Sequence, residues 1–138
     1  MKKTHFFYWL VLILILTATT AASQTIWHPA NQATIEWDQS TLLADDSPIP
    51  EGDTVKYKIY LSDGSGVHTE IMEVDTTEAT VTFQSEGQFF VGVSAVRYNA
   101  DGQLLSESLV SWSNIEPSEP FGFIFWYPIK QPTGIRRP

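Results

Sequence analysis

The sequence predicts an all-β sandwich, and three observations carry that reading. Within residues 83–95 the side chains Phe89, Val91, Val93 and Ala95 fall on one parity, with Gln88, Gly92 and Ser94 on the other, broken only by Phe90. Such alternation over a β-branched and aromatic run marks a strand with one buried face. Seven short runs of this kind occupy about 90 residues, with turn signals such as Asp63-Gly64 and Asp101-Gly102 between them. No window beyond residue 23 shows a convincing 3.6-residue apolar period.

The chain opens with a segment that belongs to export rather than to the fold. Lys2 and Lys3 precede an eleven-residue apolar run at 6–16, and the small residues of 17–23 end in Ala21-Ala22-Ser23. This is the layout of a secretory signal-peptide helix, with cleavage expected after Ser23. Eleven apolar residues fall short of the roughly 20 that a membrane-spanning helix needs. The expected destination is the periplasm or the outside of a bacterial cell, with no stable membrane insertion after cleavage. The chain has no cysteine, so neither a disulfide nor a lipidated cysteine contributes.

The elements then follow in order. Ile26-Trp27-His28-Pro29 is a short extended piece that Pro29 confines to an edge or an end. Residues 33–38 alternate with Ala33, Ile35 and Trp37 inside. Residues 39–53 carry two prolines, a glycine and four acids, which makes a long loop. The strand 54–62 turns Val55, Tyr57, Ile59 and Leu61 inward and Lys56, Lys58 and Tyr60 outward. A tight turn at 63–66 leads into 67–74, where Ile71 and Met72 compete for the inside. Strand 79–83 buries Val81 and Phe83, and the polar corner Ser85-Glu86-Gly87 leads into the long strand at 88–98. A second turn at 99–102 precedes the last predicted strand, 106–113, with Leu109, Val110 and Trp112.

Read together, residues 24–115 resemble a fibronectin type III domain, a seven-stranded immunoglobulin-like sandwich. The family's second-strand tryptophan is matched by Trp37 and its Tyr-x-hydrophobic motif by Tyr57 and Ile59. Its motif Leu-x-Pro-x-Thr-x-Tyr-x-Val-x-Val-x-Ala has the spacing of Phe83, Ser85, Gly87, Phe89, Val91, Val93 and Ala95. The most telling departure is Phe89, which stands where the family has a corner tyrosine whose hydroxyl bonds to backbone. The resemblance implies a divergent member without that anchor, worth about 1 kcal/mol net. It also implies a non-catalytic binding or spacer module. The expected organisation is a signal peptide at 1–23, the sandwich at 24–115, and a Pro-rich, aromatic extension at 116–138.

Charge narrows the choice of partners. Beyond residue 23 there are sixteen acids and six bases, a net of −10, and three of those bases lie in the last nine residues. Nucleic acids and anionic membranes need clustered Lys and Arg, so neither is expected. Catalysis finds little support: His28 and His68 stand forty residues apart, and there is no Gly-x-Ser-x-Gly elbow. Asp45, Asp46, Glu51 and Asp53 could offer oxygen ligands to Ca²⁺, but their spacing matches no Ca²⁺ loop, so solvated acids are expected. No cofactor or metal is expected. The extension has five prolines and five aromatics within 121–127: Phe121, Phe123, Phe125, Trp126 and Tyr127. These rings either fold back on the sandwich or dock on a protein partner at the cell surface or in the periplasm. Two further roles remain open, a structural accessory of an envelope assembly and an accessory to a secreted carbohydrate-active enzyme. Residues 132–136 resemble the opening of another such domain.

Overall fold

A computed structural model describes residues 24–115 and 119–128. The signal-peptide reading of 1–23 and the resemblance at 132–136 fall outside those residues. The described chain forms nine strands: β1 Ile26–Pro29, β2 Gln32–Glu36, β3 Thr54–Ser62, β4 His68–Val74, β5 Glu78–Thr82, β6 Gly87–Tyr98, β7 Leu104–Glu107, β8 Ser111–Trp112 and β9 Phe121–Phe125, with one 3₁₀ turn at Ser113–Ile115. They make a seven-stranded sheet in the order β1-β9-β6-β3-β4, with β7 and β8 also on β6, and a two-stranded sheet of β2 and β5.

The twelve-residue β6 organises the larger sheet. One of its edges is paired along nearly its full length by antiparallel β3. The other edge is shared by three short pieces in turn, β9, β8 and β7. The two sheets enclose one core. The small sheet contributes Ala33, Ile35, Ala79 and Val81, and the large one contributes Tyr57, Ile59, Val91, Phe123 and Phe125, joined by Phe83. Burying each large apolar side chain of this kind stabilises the fold by about 1.5–3 kcal/mol. The inward parity expected for 33–36, 54–62 and 79–83 is the one observed.

Four features differ from the sequence reading, each for a local reason. The run 106–113 is not one strand but two, because the chain leaves β6 at Ser108 and rejoins it at Ser111. Two serine hydroxyls fill the gaps in the ladder. Ser108 Oγ accepts the Ala95 N–H at 2.9 Å, and Ser113 Oγ accepts the Val91 N–H at 3.2 Å. The contest between Ile71 and Met72 is resolved by a bulge: Ile59 pairs with Met72 and Tyr60 with Glu70, leaving Ile71 as the extra residue. Met72 packs on the core while Ile71 is exposed. Tyr60 faces outward as expected and is nonetheless buried. Finally, 121–125 is a strand of the main sheet, antiparallel to β6 and parallel to β1. Pro29, which has no N–H to give, lies in β1 at the sheet's edge.

Candidate binding surfaces

The five aromatic residues predicted to meet a partner separate into two groups. Phe123 and Phe125 are 7% and 8% exposed and belong to the core, so their rings face the protein's own interior. Phe121 packs against that core and meets Phe123 edge-on at 5.7 Å. The alternation of β9 explains this: Phe121, Phe123 and Phe125 share one face, and Gly122 and Ile124 take the other. Trp126 and Tyr127 follow the strand and are 63% and 60% exposed. Tyr127 is tied down at both ends. Its N–H donates to Glu86 Oε1 at 2.6 Å, and its hydroxyl donates to the Gln84 carbonyl at 3.2 Å. The corner at 84–87 therefore does receive a tyrosine hydroxyl, although Phe89 cannot supply it. Phe89 instead stacks on Phe83 at 5.2 Å.

The outer face of the large sheet holds a second group, which the sequence reading did not single out. Trp27 lies across Gly122 onto Phe90, with ring centroids 5.1 Å apart. Trp112 and Val110 lie over Gly92, where a Cβ would come within 2.7 and 2.5 Å of them. Only glycine leaves room for these rings, a separate use from turn-making. Trp112 in turn meets Tyr60 at 6.5 Å and His68 at 5.6 Å. The signal was present in the sequence. Phe90 breaks the alternation of its strand, and glycines stand at 92 and 122 in otherwise apolar runs.

Beside this aromatic row runs a polar network. Glu107 accepts the Tyr60 hydroxyl at 2.6 Å and the Ser94 hydroxyl at 2.7 Å, and it lies 3.4 Å from Lys58 Nζ. The Tyr60 hydrogen bond, then that of Ser94, holds the Glu107 carboxyl below the usual range. The same bond, with burial, pushes the Tyr60 phenol up. Lys58 also pairs with Glu70 at 3.2 Å, whose hydrogen bond raises its pKa further. Glu73 repeats the motif, accepting the Tyr98 hydroxyl at 2.6 Å, which lowers its pKa. Both carboxyls are thus ionised at neutral pH and supplied with donors. As acceptors they tie together strands on either side of β3 and of β6, and neither is poised to give up a proton.

The loop acids do not converge on an ion. Asp45 Oδ1 takes both the N–H and the hydroxyl of Ser47, which lowers its pKa, and Asp53 pairs with Arg97 at 2.5 Å. Among the described residues no group of three or more His, Asp or Glu side chains could hold a metal. His28 packs between Phe121 and Phe123, and His68 against Tyr60 and Trp112, on different parts of the sheet. No helix among the described residues is long and apolar enough to cross a membrane. Comparison of the chain with family models, with curated proteins and with solved structures finds no match.

Proposed function

We propose that the chain is an exported, non-catalytic binding or spacer module that meets a protein partner in the periplasm or at the cell surface. Its architecture would be a divergent fibronectin type III-like, immunoglobulin-type sandwich. The observation that carries this reading is the Trp126 ring, 63% exposed on a backbone that its neighbour Tyr127 anchors to Glu86 and Gln84. A large aromatic held out on an ordered backbone loses little conformational freedom on docking, and tryptophan is enriched among the residues that dominate interfaces. The clamped carboxylates Glu107 and Glu73 suit a scaffold better than an acid–base pair. The carbohydrate-accessory alternative would use the outer aromatic row. It has less to rest on, because Trp27 and Phe90 tilt by 40° and Tyr60 and Trp112 by 54° instead of forming a flat platform.

A photo-crosslinking amino acid placed at Trp126 tests the proposal in the cell that exports the protein. The control carries it at Leu109, an apolar position 92% exposed. A discrete covalent adduct from position 126 and none from 109 is the expected result. Identical adduct patterns at both positions, or no adduct at 126, would remove Trp126 as the contact.

A further inference from the structure

The small sheet has an unfilled side. Among the described residues β2 is paired only by β5, and its register puts Ala33 opposite Val81 and Ile35 opposite Ala79. The flanking bonds, Trp37 N–H to Thr77 and Phe83 N–H to Asn31, set the phase: residues 31, 33, 35 and 37 spend their backbone groups on β5. Gln32, Thr34 and Glu36 consequently direct their N–H and C=O groups away from β5, along a free edge. Beside that edge the two sheets do not close. Two adjoining cavities of about 590 and 140 Å³ share Glu36, Trp37, Val93 and Ser111 as walls. The smaller cavity is mostly apolar, with Trp37, Val93 and Phe121; the larger is walled mainly by polar groups, its apolar part being Trp37 with the half-buried inner-face residues Val93 and Ala95. Trp37 Nε1 is buried there without a hydrogen-bond partner.

Charge names the occupant. Glu36 and Asp38 line the opening, and Glu36 stands directly opposite Glu78 across the β2–β5 pair, an unfavourable like-charge juxtaposition. Among the described residues the three cations are committed elsewhere: Lys56 to Glu73, Lys58 to Glu70 and Glu107, and Arg97 to Asp53. A second copy of this chain would bring the same acids to the same edge, so it is a poor occupant. We infer that the β2 edge is a strand-addition site for an extended segment of a protein partner in which apolar and basic residues alternate. Its backbone pairs with Gln32, Thr34 and Glu36. Its apolar side chains enter the cleft over Trp37, Val93 and Ala95, and its bases face Glu36 and Glu78 on the outside.

This inference rests on the reading of the chain as a binding module and is tested separately from Trp126. The probe is a synthetic peptide of about eight residues alternating lysine and valine, with an alternating glutamate–valine peptide as control. On saturation with the basic peptide, amide exchange at Gln32, Thr34 and Glu36 should slow by about tenfold or more, with no such change for the acidic one. The double substitution Glu36→Lys with Asp38→Lys should weaken binding by about tenfold or more. Thr34→Pro, which removes an outward N–H and no β2–β5 backbone bond (only the exposed hydroxyl contact with Thr80 at 3.1 Å is lost), should weaken it comparably; if that variant does not fold, the charge reversal decides. Amides of the edge already protected without peptide, slowing elsewhere only, or undiminished binding to the charge-reversed variant would overturn the inference. An adduct at position 126 with no peptide binding at β2 would leave the module reading standing and remove this one. Peptide binding at β2 with no adduct at 126 would remove Trp126 as the contact and leave this inference standing.

Discussion

Tyr127 brings to the corner at 84–87 a hydroxyl that Phe89 cannot supply. Phe89 is stacked on Phe83 and has no hydroxyl to give. The hydroxyl arrives instead from the end of β9, forty-three residues along the chain from the Gln84 carbonyl that accepts it. Sequence reading could not find this, because nothing in a Phe-Trp-Tyr-Pro stretch says which distant carbonyl it will reach. Tyr127→Phe removes this bond alone and keeps the edge contact of the ring with Phe125 at 4.9 Å. The expected loss is about 0.5–1.5 kcal/mol, the usual net worth of one such bond. Chemical denaturation of the variant beside the parent measures it. An unchanged midpoint would mean that the hydroxyl is served equally well by water, and the corner would then have no anchor.

At the scale of elements, the strands that the sequence made legible are those whose alternation faces a single core. β2, β3, β5 and β6 are of this kind, and their inward residues were readable one by one. What escaped was decided by partners far away in sequence. The break at residues 108–110 depends on Ser108 and Ser113 standing in for ladder bonds, and serine has no strand signature of its own. The segment 121–125 alternates as well, Phe-Gly-Phe-Ile-Phe, but the prolines flanking it, Pro120 and Pro128, and its place past the last expected strand made it read as an extension. In the fold it binds the beginning of the chain to the middle: Ile26 N–H donates to the Pro120 carbonyl at 2.8 Å, and Ala30 N–H to that of Ile124 at 2.9 Å. Ending the chain at residue 115 therefore takes away two core rings and leaves β1 without its only neighbour among the described residues. Truncating a single buried phenylalanine costs about 3–5 kcal/mol, and small domains are stable by about 5–15 kcal/mol. The shortened chain should not reach a cooperatively folded state, as circular dichroism melting would show. A sharp melt within a few degrees of the parent would show that β9 is dispensable.

For the whole molecule, stability should follow pH through two opposed effects. The full chain carries a net charge of −8 at neutral pH, and its own repulsion works against the compact state. Lowering the pH toward the isoelectric region near 4.6 relieves this. The clamped carboxylates act the other way. Glu107 and Glu73 have folded pKa values below the ordinary 4.5, so their contribution is fully present above 4.5 and is lost as pH falls through the lowered values. Tyr60 and Tyr98 have folded values above 10.0, so theirs is fully present below 10.0 and is lost as pH rises through the raised ones. The expected profile rises gently from neutral pH to a maximum around pH 5, then drops steeply on the acid side, with a second decline beyond 10. Melting temperatures from about pH 3 to about pH 11 trace it, and added salt should raise the neutral region by screening the repulsion. Glu107→Gln keeps an acceptor for Tyr60 and Ser94 but cannot titrate, so its acid limb should be shallower than the parent's. If the two limbs coincide, the acid sensitivity arises elsewhere, and the Glu107 clamp is not what holds β3, β6 and β7 together as pH falls.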